Sequence, residues 1–148
     1  MARDLGIQDR VRFFGRVSYE SVPDFIGAGD LGICPFTRRR NERIGTSPMK
    51  VYEYVACGRP VVVSNLPGMG DWVSRWGLGR VVEPDNPAAL ADAVVDALSD
   101  QHLAGQVAER GPSVVRAEHS WSAVAGKLSA LLQEVVGGWP TSARNGAS

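Results

Sequence analysis

Lys50 and Glu53 are the residues in this 148-residue chain best placed for chemistry, following directly on Thr46-Ser47-Pro48-Met49. A helix starting there would leave the free amides of its first turn, over Thr46–Lys50, facing outward. Those amides and the positive end of the helix dipole attract an anion such as phosphate. Lys50 adds a full positive charge at the same end. Glu53, one turn further in, can accept hydrogen bonds from vicinal hydroxyls, as an acidic residue does with a ribose. Phosphate at the helix mouth with ribose on the carboxylate describes a nucleoside diphosphate. A plainer reading stands beside it, in which Ser47 is only a cap and Lys50–Glu53 only an exposed i,i+3 pair.

The elements that must position these groups are legible around them. Ser47 is a good N-cap, and Pro48 fits the first helical position, where its missing N–H costs nothing. Gly58 suits the left-handed residue after a helix, and Pro60 stops continuation. Val61-Val62-Val63 is a β-branched run without polar alternation, as in a strand covered on both faces. Upstream, Leu31 to Phe36 predicts a central strand parallel to it. The polar segment Thr37–Gly45 then leads from that strand to the helix mouth. It carries Arg38, Arg39, Arg40 and Arg43. These can clamp a diphosphate or a charged acceptor, or form a solvated loop; Arg38 is the arginine singled out for contact. Val11 to Val17 reads as another strand, with Arg16 at its carboxyl end, where open α/β sheets place ligands. A surface role for Arg16 is the alternative. Ser64 to Gly70 is a Gly/Pro turn in which Asn65 lies where a nucleotide base can rest.

The remaining chain predicts further α/β units. Ser18 or Ser21 caps a helix with Val22, Phe25 and Ile26 on one face. Asp71 to Trp76 forms a short helix stopped by Gly77, with Trp72 and Trp76 paired on one side for core packing or base stacking. Gly79 to Val82 is a strand. Asp85-Asn86-Pro87 caps a helix burying Leu90, Val94 and Leu98. Helices follow over about 101–116 and from Ser120-Trp121, the latter with Val124, Leu128, Leu131 and Leu132 inward. The segment 137–148 reads as a disordered tail, leaving 1–136 as one domain.

Ser47-Pro48-Met49-Lys50-Val51-Tyr52-Glu53-Tyr54 with Gly58-Arg59-Pro60-Val61-Val62 resembles the donor-binding segment of family 4 (group 1) glycosyltransferases of the GT-B fold. Val11–Gly15, Ala28–Pro35 and Ser120-Trp121 resemble flanking pieces in the same order, so the likeness runs from about residue 4 to 136. The resemblance implies an α/β fold: a Rossmann-like parallel sheet with flanking helices, as part of a GT-B C-terminal domain. It implies that the helix mouth over Thr46, Ser47, Pro48 and Met49 holds a donor diphosphate through its free amides, that Glu53 holds the ribose, and that Lys50 serves catalysis by stabilising the departing nucleoside diphosphate. The full enzyme would be retaining, would need no bound metal or other cofactor, and would use a UDP- or GDP-linked sugar. Glu53 would be the second of a pair of glutamates, and the first falls at Gly45. Glu42 is out of register. Two strands that precede Val11–Gly15 in the family are not in this sequence. The chain therefore reads as truncated on its N-terminal side, with the acceptor on a missing N-terminal domain. The apolar last helix, which crosses to that domain in the family, would be partly exposed. The same departures support another class, a noncatalytic nucleotide-binding or protein-interaction module.

Composition narrows the classes further. Hydrophobic residues make up 44% of the chain, enough for one core. Basic and acidic residues balance at 16 each, which argues against nucleic acid or an anionic membrane as partner. The basic segment also lacks stacking aromatics. Cys34 and Cys57, with His102 and His119, form no metal pattern, and the cysteines read as reduced thiols of a cytoplasmic protein. No apolar run reaches a membrane span. Both histidines are predicted far from the helix mouth, so neither is a candidate base. No Ser/His/Asp set or catalytic carboxylate pair accompanies Lys50.

Overall fold

The structure is a computed structural model that describes residues 2–41 and 48–137. Its centre is a parallel three-stranded sheet in the order β1 (Gly32–Cys34), β2 (Val61–Ser64), β3 (Gly79–Val82). Gly32 pairs with Val61 and Cys34 with Val63, while Val61 pairs with Gly79 and Ser64 with Val82. All four residues of β2 are buried, as the unbroken valine run requires of a strand covered on both faces. β1 lies at an edge of this sheet, and β2 takes the central place expected of β1.

Around the sheet the chain forms α1 (Val22–Gly27), α2 (Arg38–Asn41), α3 (Met49–Ala56), α4 (Gly70–Trp76), α5 (Pro87–Ser99), α6 (Gln101–His119) and α7 (Trp121–Gly137). α3 packs on β1 and β2 and is covered by α6, while α4 and α5 pack on β2 and β3. The boundaries follow local chemistry. α3 ends where Gly58 adopts φ +72°, with Gly58 N–H donating to Val55 O and Arg59 N–H to Tyr54 O. Gly77 ends α4 in the same left-handed way. Asn86 caps α5 by accepting from Ala89 N–H at 3.0 Å, with Pro87 in the first turn. Ser120 Oγ accepts from Ala123 N–H at the start of α7.

The predicted strand over Val11–Val17 does not form. Gly15 takes φ +70°, turning the backbone out of the extended region. Phe14 meanwhile packs edge-on against Phe25 of α1 at 5.0 Å instead of alternating into a sheet face. Phe13 is left exposed. Pro48 sits one place earlier than predicted: it is extended (φ −78°, ψ 104°) at the N-cap, and its carbonyl already accepts from Val51 N–H. Ser47, the predicted cap, lies outside the described residues. Of the segment 37–45, Arg38–Asn41 is a helical turn and 42–45 lie outside the described residues. On α5 the buried stripe runs through Leu90, Val94 and the fully buried Ala97. Leu98, the next residue round the helix from Ala97, is exposed.

α6 runs three residues past its predicted end, to His119, and tolerates Pro112 in its interior. On α7 the stripe Val124, Leu128, Leu131 and Leu132 is exposed, as the resemblance led one to expect in part. Its packing partner is α6, and Lys127 Nζ donates back to Glu118 O at 3.2 Å. The predicted tail after Gly137 lies outside the described residues.

Candidate functional site

Lys50 and Glu53 project from the first turns of α3 into one cleft of about 370 Å³. Its other walls are Leu31 and Gly32 at the start of β1, Phe14 and Val17 from the N-terminal segment, and Arg59 beyond the end of α3. The cleft exists because β1 is an edge: no strand covers that side of Gly32–Cys34 among the described residues. Gly32 keeps the floor close to the helix, since a Cβ there would clash with the ring of Tyr54. Lys50 acts electrostatically on Cys34 at the carboxyl end of β1. Burial pushes the Cys34 thiol up in pKa, and the Lys50 charge pulls against it.

The predicted site residues divide into groups. Lys50 and Glu53 share the cleft. Pro48 and Met49 precede them on the same turn, Pro48 half-buried and Met49 exposed. Thr46 and Ser47 lie outside the described residues. Arg16 is exposed, on the irregular segment between Phe14 and Val17, which both line the cleft. Arg38 is turned elsewhere: its guanidinium donates to Glu83 Oε2 at 2.6 Å and its backbone N–H to Asp85 Oδ2 at 3.0 Å, beyond the carboxyl end of β3. Asn65 continues the ladder past β2, its N–H donating to Val82 O at 2.7 Å. Neither Arg38 nor Asn65 lines the Lys50–Glu53 cleft.

Two features escaped sequence reasoning. Arg59 lines the cleft, anchored by Nη2 donating to Gly27 O at 2.7 Å. It follows Gly58 in the same segment, but nothing in its local pattern separates it from a surface arginine. His119 is not remote from α3. Its ring stacks on Tyr52 of α3 at 3.9 Å, because α6 extends far enough to bring it back across α3. Trp72 and Trp76 pack as structural residues, both indoles donating to Glu118. Among the described residues, no group of three or more His, Cys, Asp or Glu could hold a metal ion. No helix among them is long and apolar enough to cross a membrane.

Residues 1–100 match the family described as glycosyl transferases, group 1. The chain belongs to the group 1 glycosyltransferases. It is 30% identical over 130 residues to an alpha-D-kanosaminyltransferase of Streptomyces kanamyceticus, covering 88% of this chain and 32% of that protein. A GDP-mannose-dependent alpha-(1-6)-phosphatidylinositol monomannoside mannosyltransferase of Mycobacterium tuberculosis is 29% identical over 134 residues, covering 90% of this chain and 35% of its own length. Among solved structures, a sucrose-phosphate synthase from Thermosynechococcus elongatus superposes with a TM-score of 0.76 at 25% identity, over 93% of this chain and 33% of that one. The α/β fold with its parallel sheet thus matches part of a GT-B enzyme. The group 1 glycosyltransferase domain seen here spans about a third of the length of these relatives.

Proposed function

We propose that this group 1 glycosyltransferase domain binds the nucleotide-diphospho-sugar donor, through the cleft beside α3, for transfer to an acceptor held by another domain. The observation that carries the reading is that Lys50 and Glu53 line one cleft running along α3. The Lys50 ammonium and the helix dipole favour the donor diphosphate, and most strongly when the glycosidic bond breaks and negative charge gathers on it. Glu53 accepts from the ribose hydroxyls. Arg16 flanks the same cleft, between Phe14 and Val17. Arg38 contributes only when an anion displaces Glu83 from it. The donor class is a UDP- or GDP-linked sugar, and the residues need no metal ion to act in these roles.

Calorimetric titration with UDP, GDP and ADP tests this. Removing the carboxylate in Glu53→Ala costs about 1–3 kcal/mol of affinity, the scale of a lost charged hydrogen bond. That is about a 5- to 150-fold rise in Kd. An unchanged Kd would remove Glu53 from the ribose.

A second reading, a noncatalytic nucleotide-binding or protein-interaction module, is favoured by Gly45 standing where the family places a first glutamate. Sugar transfer by the chain supplied with an acceptor-binding domain would exclude it.

A further inference from the structure

Behind the ligand-bearing turn of α3 lies a junction of side chains from three helices. Tyr52 stands on α3 between Lys50 and Glu53, and its ring stacks on His119 with centroids 3.9 Å apart and planes 17° from parallel. Trp72 of α4 meets Tyr52 and His119 edge-on, at 5.1 and 5.0 Å. Glu118 of α6 fastens the group: its Oε2 accepts from Trp72 Nε1 at 2.7 Å and from Trp76 Nε1 at 3.3 Å. His119 Nε2 is buried without a hydrogen-bond partner, 3.9 Å from that same oxygen.

This geometry suits a neutral imidazole and penalises a charged one. An imidazolium donates from both nitrogens. The Glu118 oxygen 3.9 Å from Nε2 is beyond hydrogen-bond distance and already takes two indole donors. Satisfying the new N–H requires the imidazole or the carboxylate to move. Moving the ring unstacks Tyr52, and moving the carboxylate releases the indoles.

We propose that Glu118 and His119 are positioning residues for the ligand turn of α3, and that proton uptake by His119 withdraws this support. The effect on ligand rests on the donor-binding reading above; the effect on α3 does not. The groups facing His119 are Tyr52 and Glu53 from α3, Tyr19 from the turn before α1, Glu118 beside it, and Lys127 of α7, whose Nζ donates to Glu118 O at 3.2 Å. α4 brings the neutral indoles of Trp72 and Trp76. Burial lowers the His119 pKa, Glu118 opposes that shift, and Lys127 adds to it.

The test compares wild type, His119→Phe and Glu118→Gln between about pH 5 and pH 8, the range in which histidine titrates. Two quantities are read: amide-exchange protection of α3 and affinity for UDP and GDP. His119→Phe keeps a ring on Tyr52 but takes no proton. Wild type should lose α3 protection and nucleotide affinity several-fold as the pH falls through a single transition below about 6.5. His119→Phe should show a flat profile, with affinity at the alkaline end within about twofold of wild type. Glu118→Gln removes the charge that favours the imidazolium, so its transition should move to lower pH, a displacement that loosened packing alone would not produce. Coincident profiles for wild type and His119→Phe, or α3 protection that is constant across the range, would overturn the proposal. If no nucleotide binds at any pH while α3 protection still follows His119, the positioning role stands and the donor-binding reading fails.

Discussion

Gly105 and Gly111 offer a decisive contrast, because both lie inside α6 and only one faces another helix. Helix propensity alone makes Gly→Ala stabilising at either position, by about 0.8–1.0 kcal/mol. At Gly105 an added Cβ meets nothing within 4 Å, so that gain should appear in full. At Gly111 it would fall 2.7 Å from the carbonyl oxygen of Val55, 3.0 Å from Val55 Cγ1 and 3.2 Å from Val107 Cγ1. Val55 and Val107 are both fully buried, and the first contact is with α3 backbone, which cannot rotate aside. Overpacking costs about 1–3 kcal/mol, and an immovable contact belongs at the upper end. Set against the propensity gain, Gly111→Ala should destabilise by about 1–2 kcal/mol. The two variants should therefore move in opposite directions and differ by about 2–3 kcal/mol. Urea unfolding read by tryptophan fluorescence measures both, provided the m-value stays constant. If Gly111→Ala proved as stabilising as Gly105→Ala, the close approach of α6 to α3 would be wrong, and the placement of His119 against Tyr52 would fall with it.

Three further outcomes follow from single contacts. Asn86→Ala removes the side-chain cap on Ala89 N–H and should cost about 1 kcal/mol; a loss no larger than that of an exposed mid-helix substitution would refute the cap. Burial raises the pKa of both thiols, but Cys34 is buried and Cys57 only half-buried, so access should make native protein near neutral pH alkylate at Cys57 well before Cys34, and equal rates would contradict the packing of β1. Acid should destabilise the fold through His119. Its pKa is lowered in the native state, so the unfolded chain binds more protons between the native value and 6.5. Stability is then fully present above 6.5, falls as the pH drops from 6.5 to the native pKa, and has no further contribution from His119 to lose below it. His119→Phe should flatten that part of the stability–pH curve, and an unaltered slope would refute it.

The amino-acid sequence by itself determined the helix–turn–strand unit at the centre of the domain. The information lies in backbone chemistry confined to a few neighbours. Gly58 adopts the left-handed conformation that a side chain resists, Pro60 ends the helix, and three consecutive valines have no polar face to turn outward. Asp85-Asn86-Pro87 was readable as a cap, and Ser120-Trp121 as a helix start, for the same reason. Lys50 and Glu53 were readable as partners because three residues along a helix is a fixed distance.

What lay beyond that distance was decided only by tertiary packing. The pattern of Val11–Val17 is that of a strand, yet a strand exists only where another backbone pairs with it, and Phe14 found Phe25 instead. Arg38 was read as a ligand arginine, but Glu83, 45 residues away, claims it. Leu98 and Ala97 could exchange burial because a stripe predicted from periodicity is only as narrow as the approach of the neighbouring layer allows. His119 met Tyr52 across 67 residues, a contact set by the length of α6 and the crossing of two helices. Local sequence fixes which backbone conformations are available. Which side chains meet depends on how the finished elements pack against one another.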